Sequence, residues 1–249
     1  MRYMRLLLLL LPFILFAQDP LSTQTVHPVC YFHPPANWEI AQPKHLSPHV
    51  QIGFIGKGST QFRPSINLAF EEVEDVSLKE YLKAVKELHL AQTNTKWRDL
   101  GKFPMQAGEG RLTEITSVSA WGEVKMLQAI VLKENIAYIL TAAVVKPDLP
   151  KFQAEILKSF QSLNLVPDLF SPIKNDQKRL ELRDLFSSLG HFSNGETPEE
   201  QQKQWELLQK RIAEDASYMG NHWQFLVLKE GHERIYSSPS SSDAEKASP

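Results

Sequence analysis

Two histidines flank the only cysteine of the chain, close to its N-terminus. His27, Cys30 and His33 carry the imidazole nitrogens and the thiol sulfur that zinc prefers as ligands. A structural zinc site needs four ligands, and the sequence offers no second cluster of cysteines and histidines to complete it. A nucleophile made of Cys30 and a histidine needs a spatial partner that the sequence does not define. We therefore expect Cys30 to be a small buried residue on a strand. An envelope metal-binding protein or enzyme that uses these three residues is the alternative.

Two other stretches contain residue types that occur in catalytic sites. "GFIGKGST" has the glycines of a phosphate-binding loop, but Ser59 follows Gly58 where the P-loop pattern requires lysine. "EEVED", residues 71–75, is acidic, but it precedes a predicted helix whose N-terminus favours negative charge. We interpret the first as a loop and the second as a solvated turn. The sequence therefore predicts no catalytic residue, no cofactor and no metal, in a protein that is not an enzyme.

The N-terminus has the layout of a secretory signal peptide over residues 1–17. Arg2 and Arg5 precede the apolar run 6–16, and Ala17 offers a small residue for cleavage. The run is shorter than the roughly 18 residues that a membrane-spanning helix requires. We expect an exported protein, periplasmic or extracellular, that touches the membrane only through this segment. Leu15 is a poor residue three positions before the cleavage point, so an uncleaved anchor in the inner membrane is the alternative.

Composition excludes some partners and some sources of stability. The chain has 27 basic and 29 acidic residues, a net charge of −2, so no basic surplus is available to bind nucleic acid. A single cysteine permits no internal disulfide, and stability must come from packing.

The first part of the chain predicts strands and one helix. "VCYFHPPANWEIA" reads as two short strands around a Pro-Pro turn, and "VQIGFIGKG" and "SINLAFEEVE" are further strands. Helical spacing then extends over 77–92, where Ser77 and Glu80 form a capping box.

The next part predicts a sheet closed by a second helix. A strand in "WRDLGKFPM" precedes three strands joined by turns at 120–123 and 133–135, which is typical of an antiparallel meander. The last two strands are nearly continuous apolar runs, so we expect them to be central and covered by helices. The second helix lies in "PDLPKFQAEILKSFQSL".

The C-terminal part predicts two helices after a linker, "VPDLFSP". The third helix covers 175–190, and a capped fourth helix runs without a break from 197 to about 228. In the alternative, Gly220-Asn221 ends the helix and "WQFLVL" is a strand. The apolar stripe of the fourth helix either packs on the third helix and the sheet domain, or holds a partner. The residues that we predict for partner binding are Trp205, Leu208, Ile212, Met219 and Trp223.

Residues 29–166 resemble the PsbP-like superfamily, which includes the Ran-binding Mog-type proteins and many small exported bacterial proteins. The matching pieces are Phe32, Pro35 and Trp38 at the opening, the "SLKEY" helix, the "AYILTAA" strand and the closing "SFQSL". The resemblance implies an antiparallel sheet sandwiched by helices and a non-catalytic accessory, assembly or binding role. It implies that Pro35 and Trp38 lie in the opening hairpin or at the rim of the fold. It assigns no catalytic or binding residue.

Together these observations predict an α+β protein in five parts. They are a signal peptide (1–17), a linker (18–28), a PsbP-like domain (29–166), a C-terminal helical hairpin (167–236) and a disordered tail (237–249). The expected function is that of an exported, non-catalytic binding or assembly protein of the bacterial envelope. It would act through contacts with an unidentified envelope protein or with a second copy. A membrane-tethered ligand carrier is a further alternative.

Overall fold

The structure is a computed structural model that describes residues 28–42, 44, 46–47, 49–59, 61–190 and 197–236. The described residues form two compact units, one of residues 34–164 and one of residues 28–33 and 165–236. The predicted signal peptide, most of the predicted linker, His27 and the predicted tail lie outside the described residues. In the described part of the chain, every helix is too short or too polar to cross a bilayer.

The first unit contains a seven-stranded antiparallel sheet. Its strands are β2 (Glu39–Ile40), β3 (Val50–Ile55), β4 (Ser65–Glu72), β5 (Lys96–Met105), β6 (Gly108–Ser119), β7 (Gly122–Lys133) and β8 (Ile136–Val145). Their order across the sheet is β2-β3-β4-β8-β7-β6-β5. The predicted meander is therefore confirmed, and its last two strands lie in the interior of the sheet.

Both predicted meander turns are present. β7 and β8 are joined at Glu134 and Asn135, whose φ angles of 48° and 61° are those of a two-residue hairpin turn. β6 and β7 are joined at residues 120–121, and Gly122 has a φ of 100°. These tight turns set the registers of the two hairpins, which pair Lys133 with Ile136 and Ser119 with Gly122.

Helices cover the two faces of this sheet. Helix α1 (Leu78–Leu90) starts at the predicted capping box, and its Tyr81 and Leu82 pack with Ile130 and Ile139. Helix α2 (Leu149–Gln161) follows a short 3-10 helix, Lys146–Asp148, and its Phe160 ring contacts Phe103 edge to face. The register of β5, β6 and β7 places Phe103 on the face opposite Ile130. The expected helix-covered antiparallel sheet is confirmed.

The second unit departs from the predicted opening hairpin. Strand β1 (Val29–Tyr31) pairs with β9 (Asn164–Val166), and β2 pairs with β3. Residues 35–38 form the predicted turn, in which Asn37 has a φ of 62°, but the strands on its two sides belong to different sheets. The hairpin prediction was wrong because pairing between residues distant in sequence replaced the local pairing. The predicted PsbP-like domain included β1, which belongs to the second unit.

The C-terminal helices are three segments rather than a hairpin of two. Helix α3 covers Asp176–Ser188, and α4 covers Pro198–Tyr236 with a break at Gly220, where φ is 84° and ψ is 158°. The prediction of an unbroken helix was wrong, and so was the alternative of a strand, since helix resumes after the break. Only glycine adopts this backbone conformation at low cost. A Cβ at Gly220 would also lie 3.4 Å from the His33 ring.

Candidate functional site

The predicted thiol and histidine site does not have the properties of a reactive centre. Cys30 is buried on β1, and burial raises the pKa of its thiol, which keeps the sulfur protonated and unreactive. The Tyr31 ring stacks on His33 with centroids 6.1 Å apart, and His27 lies outside the described residues. Among the residues that the structure describes, no group of three metal-binding side chains occurs.

The five residues predicted to bind a partner are packed inside the second unit. Trp205, Leu208, Ile212, Met219 and Trp223 are 0–7% exposed. They form one core with residues of β1, of α3 and of the predicted linker, in which Leu169 and Phe170 are buried, and with Ile173 just after it. The Trp223 indole N–H donates to the Leu169 carbonyl at 2.6 Å. The packing interpretation of this stripe therefore replaces the partner interpretation, and the segment predicted as a linker is part of a core.

The opening residues of the first unit are also structural. Pro35 and Trp38 are buried, and the Trp38 ring meets Phe152 of α2 edge to face with centroids 5.9 Å apart. Gly56 lies against the indole, so close that a Cβ there would be 2.7 Å from a ring carbon. Trp38 is thus a core residue rather than a rim residue.

A row of polar side chains crosses the sheet on the face that carries α1. Cross-strand pairing aligns Asn67 of β4 with Thr141 of β8, Thr141 with Gln128 of β7, Gln128 with Thr113 of β6, and Thr113 with Asp99 of β5. Directly paired residues project from the same face, and neighbouring strands are about 4.8 Å apart, so the row spans about 20 Å. We call these five residues the polar row.

The middle of the polar row is buried and retains unused hydrogen-bonding capacity. The Gln128 amide nitrogen donates to the Thr141 hydroxyl at 3.2 Å. The Gln128 Oε1 and the Thr113 Oγ1 have no hydrogen-bond partner within the described residues. Thr113 is 0% and Gln128 8% exposed. A buried polar atom without a partner costs about 1–3 kcal/mol, and most native buried polar groups avoid this cost.

The last turn of α1 adds a histidine to this region. His89 is 8% exposed, and neither ring nitrogen has a hydrogen-bond partner in the described part of the chain. Burial lowers the pKa of His89, and the polar Gln128 side chain opposes this shift. His89 is therefore a neutral imidazole at neutral pH, with one donor and one acceptor.

Two β-strand neighbours complete the cluster. Trp97 Nε1 on β5 and Arg111 Nε on β6 are buried atoms without partners among the described residues. Trp97 precedes Asp99 by two residues and Arg111 precedes Thr113 by two, so both project from the face of the polar row. Lys86 Nζ of α1 lies 5.7 Å from the Trp97 ring centroid. We call His89, Trp97 and Arg111 together with the polar row the polar cluster.

The charges of the polar cluster compensate each other. Arg111 donates to the Asp99 carboxylate, which also accepts from the Gly101 N–H at 2.8 Å. Burial favours a higher pKa for Asp99, but the Arg111 guanidinium and the Gly101 N–H outweigh it and hold the pKa below its usual range. General acid–base catalysis uses titratable pairs with separated pKa values. Here the carboxylate is committed to an arginine, so the arrangement is suited to hydrogen-bonded binding.

A second feature of the first unit is an apolar hairpin tip. Val118 is 69% and Trp121 40% exposed at the end of the β6–β7 hairpin, and the Trp121 ring contacts the Phe62 ring edge to face at 5.7 Å. The Ser119 hydroxyl accepts from the Trp121 N–H and donates to the Gly122 carbonyl, which orders the turn. These bonds hold the exposed indole in place. We call Val118, Trp121 and Phe62 the hairpin tip.

Charged side chains lie beside the hairpin tip. Glu123 forms ion pairs with Lys146 at 3.1 Å and with Lys125 at 3.4 Å. The hydrogen bond from Lys146 lowers the pKa of Glu123 and keeps its carboxylate ionised. Aromatic residues are enriched at the centres of protein interfaces, and polar residues form their rims.

The loop "GFIGKGST" is structural. Ser59 donates from its N–H and its hydroxyl to the carboxylate of Asp148 in the 3-10 helix, and strand β4 follows the loop. The loop interpretation made from the sequence is therefore confirmed, and the glycines serve its packing.

Sequence reasoning missed both features of the first unit. Gln128 and Thr141 are single polar residues inside apolar strands, and the turn at 133–135, identified from the sequence, places them opposite each other. The turn at 120–123 likewise places Thr113 opposite Gln128. The hairpin signals were thus sufficient to find the centre of the row. The approach of His89 depends on long-range packing that the sequence does not encode locally.

Comparison with known proteins gives likeness of structure only. No family model and no curated protein matches the chain. LpqN, involved in cell envelope biogenesis of Mycobacterium tuberculosis, matches with 11% identity and a TM-score of 0.45, over 60% of this chain and 87% of LpqN. Cyanobacterial PsbP from Synechocystis sp. PCC 6803 matches with 10% identity and a TM-score of 0.39, over 61% of this chain and 98% of its own.

The Ran-binding protein Mog1p of Saccharomyces cerevisiae matches with 15% identity and a TM-score of 0.33, over 52% of this chain and 96% of its own. At these identities and scores the likeness transfers no activity and no partner. A PsbP protein and a Mog1 protein, the two groups named by the sequence resemblance, are among the solved structures that this chain matches.

Proposed function

We propose that this chain is an exported, non-catalytic binding protein of the bacterial envelope that holds a protein partner through the hairpin tip. The observation that carries the proposal is the ordered, 40% exposed indole of Trp121 beside Val118, which is 69% exposed. Exposed apolar side chains cost solvation free energy, and tryptophan is among the residues that dominate protein interfaces. Export rests on the signal-peptide pattern of residues 1–17.

The geometry supports a contact on the first unit instead of the C-terminal helices. The stripe that contains Trp205 and Trp223 is core, so removing those side chains would unfold the second unit before it changed any surface. The hairpin tip, by contrast, lies at the end of two paired strands and can be truncated without opening a core. Trp121→Ala is expected to lower the free energy of unfolding by about 1–3 kcal/mol, from the lost ring contact and the part of the indole that is buried.

A pull-down from native envelope extract tests this proposal. The baits are residues 18–249 with the natural sequence and the same chain with Val118→Ser and Trp121→Ala. The matched control replaces Leu180 and Leu207, two exposed leucines of α3 and α4, by alanine. We expect a crosslinked partner that the control retains and the hairpin-tip variant loses. Equal capture by all three baits contradicts the hairpin tip, and loss in the control alone assigns the contact to the C-terminal helices.

The same variants distinguish self-association from binding to a different protein. Sedimentation of the purified chain over a range of concentrations gives a monomer if the partner is another protein. A dimer that the hairpin-tip variant converts to a monomer identifies the partner as a second copy.

Export and processing have their own measurement. The intact mass of the protein isolated from its native cells reveals whether residues 1–17 are removed. A mature chain that begins after Ala17 supports a free exported protein. An intact N-terminus in the membrane fraction supports the tethered alternative, and recovery from the cytosol contradicts export.

A further inference from the structure

The polar cluster has the properties of a ligand-binding site that is separate from the hairpin tip. Its buried polar atoms without partners among the described residues come from β5, β6, β7 and α1. We propose that this cluster binds a small, neutral, hydroxyl-bearing organic molecule, of the polyol or sugar class, between the sheet and the last turn of α1.

Burial is the first reason for a bound molecule. Thr113 is fully buried, and Gln128 and His89 are 8% exposed, so bulk water does not satisfy the Thr113 Oγ1, the Gln128 Oε1 or the His89 ring nitrogens. Native buried polar groups are satisfied by protein, by ordered water or by a ligand.

The unpartnered donors and acceptors of the polar cluster indicate which functional groups the bound molecule carries. Gln128 Oε1 is an acceptor only, and the indole N–H of Trp97 and the Nε–H of Arg111 are donors only. A molecule that satisfied these atoms would have to both donate and accept hydrogen bonds. A hydroxyl group does both, whereas a carboxylate or phosphate dianion cannot donate to Gln128 Oε1. An ammonium group cannot accept from Trp97 or Arg111.

The balance of charges within the polar cluster also favours a neutral molecule. The only full charges in the cluster, Arg111 and Asp99, form an ion pair with each other. His89 is held neutral by burial. A charged molecule would thus lose its hydration without gaining an opposite charge, and a neutral one avoids that cost.

The ends of the cluster are less buried than its centre. Asn67 and Thr141 at one end, and Trp97 at the other, are half-buried, and Asp99 is exposed. Leu90, next to His89 in α1, is 49% exposed.

Titration of the full mature chain with small probes tests the proposal. The probes are glycerol, myo-inositol and D-glucose, with sodium acetate and choline chloride as charged comparisons at equal ionic strength. Binding is followed by NMR at the Trp97 indole N–H and the Gln128 side-chain amide. Both signals report the site itself and do not depend on any biological activity.

Two variants separate binding at the cluster from effects on folding. Thr113→Val and Gln128→Leu remove the polar atoms and keep the approximate volume. The matched control is Thr116→Val, on the same strand but on the opposite face, where the Thr116 hydroxyl accepts from Lys125 Nζ at 2.7 Å. Thr113→Val removes a hydroxyl without a partner, so we expect the folded state to persist.

We expect at least one polyol or sugar probe to shift both signals in a saturable way. Thr113→Val should weaken its affinity about tenfold or more, and Thr116→Val should leave the affinity unchanged. The proposal is overturned if no neutral hydroxylated probe saturates the signals, which would leave internal water as the only occupant. Tighter binding of a charged probe, or equal affinity in the Thr113→Val variant, overturns it as well.

Discussion

His222 is expected to make the second unit lose stability as the pH falls below about 6.5. The imidazole is fully buried, and its Nδ1 accepts a hydrogen bond from the Phe32 N–H at 3.2 Å. The Phe32 ring meets it edge to face at 4.9 Å. The burial of the ring, and in second place the charge of His33, lower its pKa from 6.5 to about 3.

The sign and size of the effect follow from this pKa. Between pH 6.5 and about 3 the unfolded chain carries a proton on His222 that the folded chain cannot carry, so acid favours unfolding. Each pH unit in this window corresponds to about 1.4 kcal/mol, and the free energy of unfolding should fall by about 2.7 kcal/mol between pH 8 and pH 4.5. The contribution is fully present above pH 6.5.

Two carboxylates of the second unit affect its stability at lower pH, so their effect can be distinguished from that of His222. The pKa of Asp168 lies below its usual range, because hydrogen bonds from Arg183 and from backbone N–H groups outweigh the effect of burial. The Gln177 side chain and then Arg211 lower the pKa of Glu181. These two carboxylates lose their stabilising contributions below about pH 4, so the change in stability between pH 6.5 and pH 4.5 comes mainly from histidine.

Amide hydrogen exchange of peptides from residues 199–236 measures this dependence, corrected for the intrinsic effect of pH on exchange. The test variant is His222→Asn, whose side-chain oxygen can accept from the Phe32 N–H and does not titrate. The control is His232→Asn, at an exposed histidine of the same helix. We expect the acid dependence to disappear in His222→Asn and to persist in His232→Asn. An unchanged slope in His222→Asn refutes the assignment.

Three further predictions concern single positions. Ser77→Ala removes the hydroxyl that caps α1 and should lower the free energy of unfolding of the first unit by about 1 kcal/mol, measured by urea titration. The control is Lys79→Ala, two residues later at an exposed position, which should change the free energy of unfolding little. Gly220→Ala places a side chain at a φ of 84° and a ψ of 158°, a region that is essentially restricted to glycine, and should destabilise the second unit by about 1–3 kcal/mol. Hydrogen exchange of α4 detects this loss, and an unchanged exchange rate contradicts the break. Cys30 should remain unlabelled by a thiol reagent in the native protein and react fully in urea, because its thiol is buried with a raised pKa; rapid native labelling would contradict this placement.

Local signals in the sequence were sufficient for most of the first unit. The Ser77–Glu80 capping box is present as predicted, and the turn at Glu134 and Asn135 connects the two predicted strands. These features depend on a few neighbouring residues, whose backbone preferences and side-chain bonds act within one turn.

Features that depend on distant residues were missed. β1 pairs with β9, more than a hundred residues away, and no local pattern distinguishes that pairing from a hairpin with β2. The stripe that includes Trp205 looks the same in sequence whether it packs inside the chain or against a partner, and only the tertiary structure showed that it is core. At Gly220, helical periodicity continued through a residue whose backbone leaves the helix.

The polar cluster lies between these two cases. The pairing of Gln128 with Thr141 follows from a turn that the sequence reveals, but the approach of His89 does not. Gln128 and Thr141 are isolated polar residues in strands that the sequence predicts as nearly continuous apolar runs. Their alignment across the sheet, rather than any one of them, is what indicates a site.

The most direct test of the proposed function is photocrosslinking in cells that produce this protein. A photoactivatable phenylalanine analogue replaces Val118 in one full-length chain and Leu180 in another, because both positions are exposed and lie on different units. We expect a discrete crosslinked product from position 118 that contains an envelope protein, and none from position 180. A product from position 180 alone would contradict binding of the partner at the hairpin tip.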